Sequence, residues 1–339
     1  MTRTLDIAPW LPWIWAALIG AAVAFYVILD GFDLGIGILF PFAKSEAERD
    51  RMLASIAPFW DGNETWLVLG GGGLFVAFPR AYSIIMPAFY LPLIVMLLAL
   101  VFRGITFEFR SLAQRKPFWN AVFAGGSTLA GFCQGLVLGG LVQGVKIENG
   151  VYAGGPLDWA TPFGLLCGFG VVVGYALLGA CWLILKTDGD MAVRAAAKAK
   201  VLLVAVLVFM AAVSLYTPLT IPRIAQRWFT MPNLLYLAPL PIVTALIALA
   251  VWRSIEARRE AAPFLASIAL FLLGYAGLVI STVPYIVPPT LTIPDAAAAP
   301  SSQLFMLIGT LVLLPLILGY TAMTYWLFRG KVRESAAYH

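Results

Sequence analysis

The sequence predicts an all-α integral membrane protein of nine transmembrane helices, with the N-terminus outside and the C-terminus cytoplasmic. Its helices are expected as two four-helix groups plus one extra helix, in a single membrane domain over 1–339. Three observations lead there. Of 339 residues, 61% are hydrophobic and only 12% charged, with a mean hydropathy of +0.91; a soluble domain carries about 25% charged residues. The apolar stretches are long and continuous, without the two-residue alternation of a barrel. Finally, Lys and Arg collect in every second inter-span segment, as the positive-inside rule requires of a threaded chain.

A helical span needs about 20 apolar residues, and the candidate spans run over 10–40, 58–78, 83–102, 118–142, 162–185, 201–220, 234–252, 264–285 and 303–328. The first is longer than necessary and ends in D-G-F-D-L-G-I-G (30–37), whose glycines and acids suggest that its last ten residues tilt or leave the hydrocarbon. Trp10, Trp13 and Trp15 at its start read as an interfacial aromatic belt. The second opens with W-D-G-N-E-T-W and contains Gly70 to Gly73, a run expected to let helices approach closely. Pro87, Pro92, Pro218, Pro239, Pro241 and Pro315 read as kinks. The segments 143–161 and 284–302 are rich in Gly, Pro, Ala and Thr, with turn signals such as Asn149-Gly150, and read as outer loops.

The charge count fixes the orientation. Seventeen of the 22 Lys and Arg follow spans one, three, five, seven and nine: Lys44, Arg49, Arg51; Arg103, Arg110, Arg115, Lys116; Lys186, Arg194, Lys198, Lys200; Arg253, Arg258, Arg259; Arg329, Lys331, Arg333. The other side holds Arg3, Arg80, Lys146, Arg223 and Arg227. The N-terminus shows one Arg and no small-residue cleavage site after it, so the first span is expected to remain.

Composition also excludes chemistry. Cys133, Cys167 and Cys181 lie within apolar segments without paired spacing and read as small buried hydrophobes. The one histidine is His339, the last residue, which argues against a histidine-ligated haem and against a nucleophile–histidine pair within the fold. No phosphate-binding P-loop occurs, and nothing suggests nucleic acid. Asp188-Gly189-Asp190 has a spacing a cation would accept but reads as a solvated loop.

What remains is a set of acids where a membrane protein should avoid them. A carboxylate near a helix centre costs roughly 2.5–3.5 kcal/mol on insertion scales. Asp30 and Asp33 end span one, Asp61 and Glu64 open span two, and Arg103, Glu108 and Arg110 close span three, all near the cytoplasmic side. Each acidic pair is spaced i,i+3 and shares a helix face. The plain alternative is a set of boundary charges that register helix ends and suit the helix dipole. Convergence of three spans at one depth favours a proton or cation path instead.

At this point three blocks resemble a known family. D-G-F-D-L-G-I-G (30–37), W-D-G-N-E-T-W-L (60–67) and F-R-G-I-T-F-E-F-R (102–110) are similar to the signature blocks of subunit II of cytochrome bd-type quinol oxidases, with E-T and F-E-F-R closest to the cyanide-insensitive branch. The resemblance implies a bacterial inner-membrane subunit of a quinol:oxygen oxidoreductase that reduces oxygen to water, is electrogenic, and does not pump. It implies that this chain ligates no cofactor and holds no catalytic group: two haems b and one haem d belong to subunit I, which also takes the quinol. It leaves room for a small single-helix accessory subunit and for bound lipids. It carries a proton-path aspartate onto Asp61, with Asp30, Asp33, Glu64, Arg103 and Glu108 beside it and Trp60, Gly62, Asn63, Trp66 and Arg110 as motif framework. The rival reading is a proton- or cation-coupled secondary transporter, which would explain the acids but predicts inverted repeats that the sequence does not display.

Overall fold

The computed structural model describes residues 7–332, so Arg3, Arg333 and His339 lie outside the described residues. Fourteen helices follow one another with two short hairpins in the loops. The long ones are α1 (Leu11–Leu39), α5 (Tyr90–Leu112), α6 (Lys116–Gln143), α7 (Pro162–Lys186), α8 (Gly189–Thr220), α12 (Ala262–Thr282) and α14 (Pro300–Leu327). The shorter pieces are α2 (Glu46–Ile56), α3 (Trp60–Ala77), α4 (Pro79–Ala88), α9 (Pro222–Phe229), α10 (Asn233–Leu237), α11 (Pro239–Glu256) and α13 (Ile293–Ala296). Among the described residues eight helices, counting 233–256 as one, are long and apolar enough to cross a membrane. The chain is a multi-pass, all-α membrane protein. The exception among the expected spans is α3: at 18 residues it reaches about 27 Å, but Asp61, Asn63, Glu64 and four glycines dilute its apolar character.

At the end of the first span α1 stays continuous through residues 30–37, and Asp30 to Gly37 form its most buried stretch. The reason lies in the glycines. A Cβ on Gly35 would stand 1.9 Å from the Tyr175 carbonyl, and one on Gly37 would stand 2.0 Å from Ser127 Oγ. Here α1 meets α7 backbone to backbone and α6 backbone to side chain, and only glycine fits. The four-glycine run of α3 bears out its expected close contact only in part: a Cβ on Gly73 would stand 3.1 Å from Ile19 of α1 and one on Gly70 3.7 Å from Val23, while Gly71 and Gly72 would meet nothing within 4 Å.

The third helix is also shifted. Pro92 has no N–H for the carbonyl of residue 88, so α4 ends at Ala88 and α5 starts afresh at Tyr90. As a result F-R-G-I-T-F-E-F-R lies wholly inside α5, and Arg103 is a mid-helix residue rather than a boundary charge. α1 is the central helix, packed on α3, α6 and α7; α5 pairs with α6, α7 with α8, and α11 with α12, while α14 lies at the edge, chiefly against α1 and α3. The loops behave as read: Asn149 and Gly150 both take positive φ in the turn of a hairpin, Ile147–Glu148 with Val151–Tyr152. Of Asp188-Gly189-Asp190, read as a solvated loop, all three are exposed, but Gly189 and Asp190 open α8, and Asp188 before it meets the Lys331 ammonium at 2.5 Å.

The α2 segment lies between α1 and α3 and is held from both ends. Ser45 caps it by accepting from the Glu48 N–H at 3.2 Å. Glu48 in turn accepts from the Lys44 N–H at 3.1 Å and from Arg194 Nη2 of α8 at 2.8 Å. Burial pushes the Glu48 carboxyl up, but the Lys44 N–H and the Arg194 guanidinium outweigh it and hold it below its ordinary value. A lowered carboxyl value stabilises the fold above the unfolded value, and that contribution fades as pH falls through the lowered one. Ser45→Ala should weaken α2 by about 1 kcal/mol, and acidification should loosen it in the wild type. Hydrogen exchange of the α2 amides, faster in both cases with α6 unaffected, is the check.

Candidate functional site

The site is built where α1, α3 and α5 meet. Asp30 and Arg103 are both 0% exposed, and Arg103 Nη1 donates to Asp30 Oδ1 at 2.8 Å. Glu64 Oε2 stands 3.6 Å from the same nitrogen, with its side chain 28% exposed. Asp33, one turn beyond Asp30, also lies in the field of Arg103 and is held by Asn63. Asn63 Nδ2 donates to Asp33 Oδ2 at 2.7 Å and to the Leu29 carbonyl at 3.2 Å. Its Oδ1 accepts from the Tyr325 hydroxyl of α14 at 3.0 Å. The amide of Asn63 therefore uses both ends. Asp30 Oδ2, Asp33 Oδ1 and Arg103 Nε and Nη2 have no hydrogen-bond partner among the described residues.

Of the acids singled out in the sequence, the structure brings Asp30, Asp33 and Glu64 together with Arg103. It does not bring Asp61 or Glu108 into contact with them. Asp61 lies on the exposed face at the start of α3, where its carbonyl accepts from Thr65 Oγ1 at 3.0 Å. Glu108 is exposed on α5, five residues past Arg103 and on the opposite side of the helix. Arg110 belongs to a second, separate cluster at the end of α5: its guanidinium donates to Asp50 at 2.5 Å, Glu46 at 2.7 Å and Asn120 at 2.6 Å, binding α2 to α5 and α6. Glu46, Asp50 and Asn120 carried no motif and were not foreseen.

The framework residues act through packing. Trp60 stacks on Phe107 at 4.7 Å, nearly parallel, and covers Gly104, where a Cβ would stand 3.4 Å from its ring. Trp66 is buried and stacks on Phe25 at 4.5 Å. A Cβ on Gly62 would meet nothing within 4 Å, so its lack of a side chain is not explained by packing in this chain. Beside α3, Phe59 stacks on Tyr325 at 4.6 Å, and the Lys186 ammonium donates to the carbonyls of Phe328 and Gly330, closing the end of α14. Lys186 and Tyr325 lay in apolar sequence with no signal beyond their polarity.

Chemically this is a cluster of three carboxyl groups around one guanidinium, paired at Asp30 and under-supplied with hydrogen bonds, with a graded approach from the surface through Glu64. Among the described residues no three His, Cys, Asp or Glu gather to hold a metal, and no histidine is present to ligate a haem. Removing one partner of a fully buried pair leaves a bare charge and costs about 3–5 kcal/mol. Arg103→Gln should therefore lower thermal stability by that order, and adding Asp30→Asn should recover most of the loss. Thermal unfolding of the two variants in detergent, with a double variant no worse than the single, is the check.

Comparison with known proteins gives one answer. Residues 11–328 match the family described as Cytochrome bd terminal oxidase subunit II. The chain is 31% identical to the "Cytochrome bd-I ubiquinol oxidase subunit 2" of Escherichia coli, covering 96% of both chains. It is 30% identical to the "Cytochrome bd ubiquinol oxidase subunit 2" of Bacillus subtilis, covering 94% of this chain and 96% of that one. Its fold matches a chain of the bd oxidase from Geobacillus thermodenitrificans with a TM-score of 0.71 at 19% identity, covering 94% and 98%. The chain thus belongs to the family of cytochrome bd terminal oxidase subunit II, one multi-pass membrane subunit of an oxidoreductase complex.

Proposed function

We propose that this chain is the subunit that stands beside a haem-bearing subunit I in the bacterial inner membrane, supports it, and conducts protons toward it from the cytoplasm. In this reading α3 is the ninth span, the N-terminus is outside, and the C-terminus is cytoplasmic. The distribution of Lys and Arg supports that orientation, and the 18 residues of α3 come close to the roughly 30 Å hydrocarbon core. The acid cluster then lies in the cytoplasmic half. The whole complex would oxidise quinol and reduce oxygen to water; two haems b and one haem d, held by the partner, supply the electron transfer and oxygen chemistry. Charge separation would come from protons taken up inside and released outside, without pumping.

The observation that carries the uptake role is the exposure gradient from Asp61 through Glu64 to the Asp30–Arg103 pair. Asp61 is exposed, Glu64 one turn deeper is 28% exposed, and the Asp30–Arg103 pair behind it is sealed. A carboxylate at the surface collects a proton; a second one turn deeper, beside a fixed guanidinium, passes it inward while the field of Arg103 keeps it exchangeable. Asp30, Asp33 and Arg103 set that field rather than carry the proton. Glu108, exposed on α5, marks the outer rim of the mouth. The exposed Asp61–Glu64 face is the natural place for subunit I to receive the proton.

Asp61→Asn and Glu64→Gln each preserve side-chain volume and should lower quinol-driven oxygen consumption at least about tenfold, with haem absorption spectra unchanged. Turnover equal to the wild type in Asp61→Asn, in intact membranes, removes the surface step. A loss of haem bands in either variant would mean that these carboxylates serve assembly instead.

A further inference from the structure

Behind Asp30 the helices hold three uncharged polar side chains that the proposed proton route does not use. Tyr26, one turn earlier on α1, lies against the Asp30 carboxylate. Gln134 of α6 donates from Nε2 to the Tyr26 hydroxyl at 2.7 Å. Tyr175 of α7 donates its hydroxyl to Gln134 Oε1 at 2.5 Å. Three helices thus contribute one side chain each to a hydrogen-bonded chain that ends at the Tyr26 hydroxyl, beside the buried Asp30 carboxyl.

The chain has a direction. A phenol has one proton to give and lone pairs to receive with. Because the Gln134 amide N–H donates to the Tyr26 oxygen, the Tyr26 proton remains available, and the acceptor beside it is Asp30, whose Oδ2 has no partner among the described residues. The direction is set at the far end. Tyr175 presents its proton to the oxygen of Gln134, which turns the NH2 end toward Tyr26. With the amide reversed, Tyr26 would spend its proton on Gln134 and leave Asp30 without it. Tyr175 has little room to turn away: its ring sits where a Cβ on Gly31 would come within 2.8 Å and one on Gly131 within 3.1 Å, and it stacks on Phe271.

We infer that Gln134 and Tyr175 are positioning residues that set the donor direction of the Tyr26 hydroxyl, so that it serves Asp30 and holds that carboxylate in its pairing geometry with Arg103. The consequence for turnover rests on the uptake role proposed above, since a displaced Asp30 would alter the field that Glu64 meets. The chain also explains why two tyrosines and a glutamine are kept inside apolar helices, where each unmatched polar group would cost free energy.

The test uses the assembled oxidase carrying Tyr26→Phe, Gln134→Met or Tyr175→Phe, with assembly verified by haem absorption. The Asp30 carboxylate is isolated by infrared spectroscopy of protein containing carboxyl-labelled aspartate, subtracting the spectrum of Asp30→Asn. Tyr26→Phe and Gln134→Met should displace the Asp30 band equally, and the double variant should displace it no further. Turnover should fall by about tenfold in each and no more in the double, with the quinol KM unchanged. Tyr175→Phe preserves packing and should give a smaller displacement in the same direction. A band at the wild-type position in Gln134→Met, or turnover losses that multiply in the double variant, overturns the inference. A shared displacement with wild-type turnover upholds the positioning role and counts against the uptake reading, which Asp61→Asn addresses independently.

Discussion

The pair between Arg103 and Asp30 is the constraint from which the rest of the acid cluster follows. Both side chains are fully buried, so neither can recover the hydration it had outside. Their attraction offsets the loss only while they stay in contact, because a lone buried charge is several kcal/mol worse than a paired one. The pair is therefore strongly selective for a single arrangement of α1 against α5. It is less clearly stabilising in total, since Arg103 uses one of its nitrogens on Asp30 and leaves Nε and Nη2 without partners. Such a site persists because its surroundings hold it. Below Arg103, a Cβ on Gly126 would press on the Ala99 carbonyl at 2.8 Å, so α6 can approach α5 at the level of the charge. Above it, Trp60 and Phe107 lie flat on one another.

The close contact of α1 with α7 completes the arrangement. Gly35 and Gly179 meet backbone to backbone, where a Cβ on Gly179 would fall 2.5 Å from the Gly35 carbonyl carbon. Small residues supply association in lipid where burial of apolar surface gives no driving force between helices. That approach brings Tyr175 to the same depth as Asp30, and it lets Phe32 stack on Trp182 at 4.1 Å. The aromatic layer then continues through Phe59 and Tyr325, so the peripheral helix α14 is fixed at its C-terminal end and presents one hydroxyl to Asn63. A helix with few other contacts is thereby tied to the site.

Much of this was legible in the sequence, and the failures have a common cause. Composition and Lys/Arg placement gave the membrane class, and the three motifs gave Asp30, Asp33, Glu64 and Arg103 as members of one group. What the sequence left open was helix phase. Asp61 and Glu64 are three residues apart, and so differ by about 60° around the axis; one faces the charge and the other the surface. Arg103 and Glu108 are five apart, which places them on opposing sides of α5. Asn63 was visible only as a motif letter, since its role depends on Tyr325, 262 residues away. Tyr26 carried a usable signal, being four residues before Asp30 on the same face. Gln134 carried one too, as an amide deep in a helix otherwise built of apolar and small residues. Neither stood out against a sequence with 12 tyrosines, most of which serve packing or the interface.

Two amides now invite comparison. Asn63 and Gln134 each have a tyrosine donating to their oxygen and turn their nitrogen toward the acid side, to Asp33 directly and to Tyr26 beside Asp30. An amide is suited to this position for a physical reason. It carries a fixed donor end and a fixed acceptor end, so a tyrosine behind it decides which end faces the carboxylate. It also carries no net charge, so it can be buried at far lower cost than a further ion. Another Lys or Arg in place of either amide would tie each carboxylate more tightly and raise the burial cost. A hydroxyl in place of either would be able to reverse its proton. The amide–tyrosine pairs orient Asp30 and Asp33 while leaving Arg103 as the single positive charge of the cluster. Glu64, the acid nearest the surface, then shares that charge with a carboxylate already held in place, and answers to it from 3.6 Å rather than through a bond of its own.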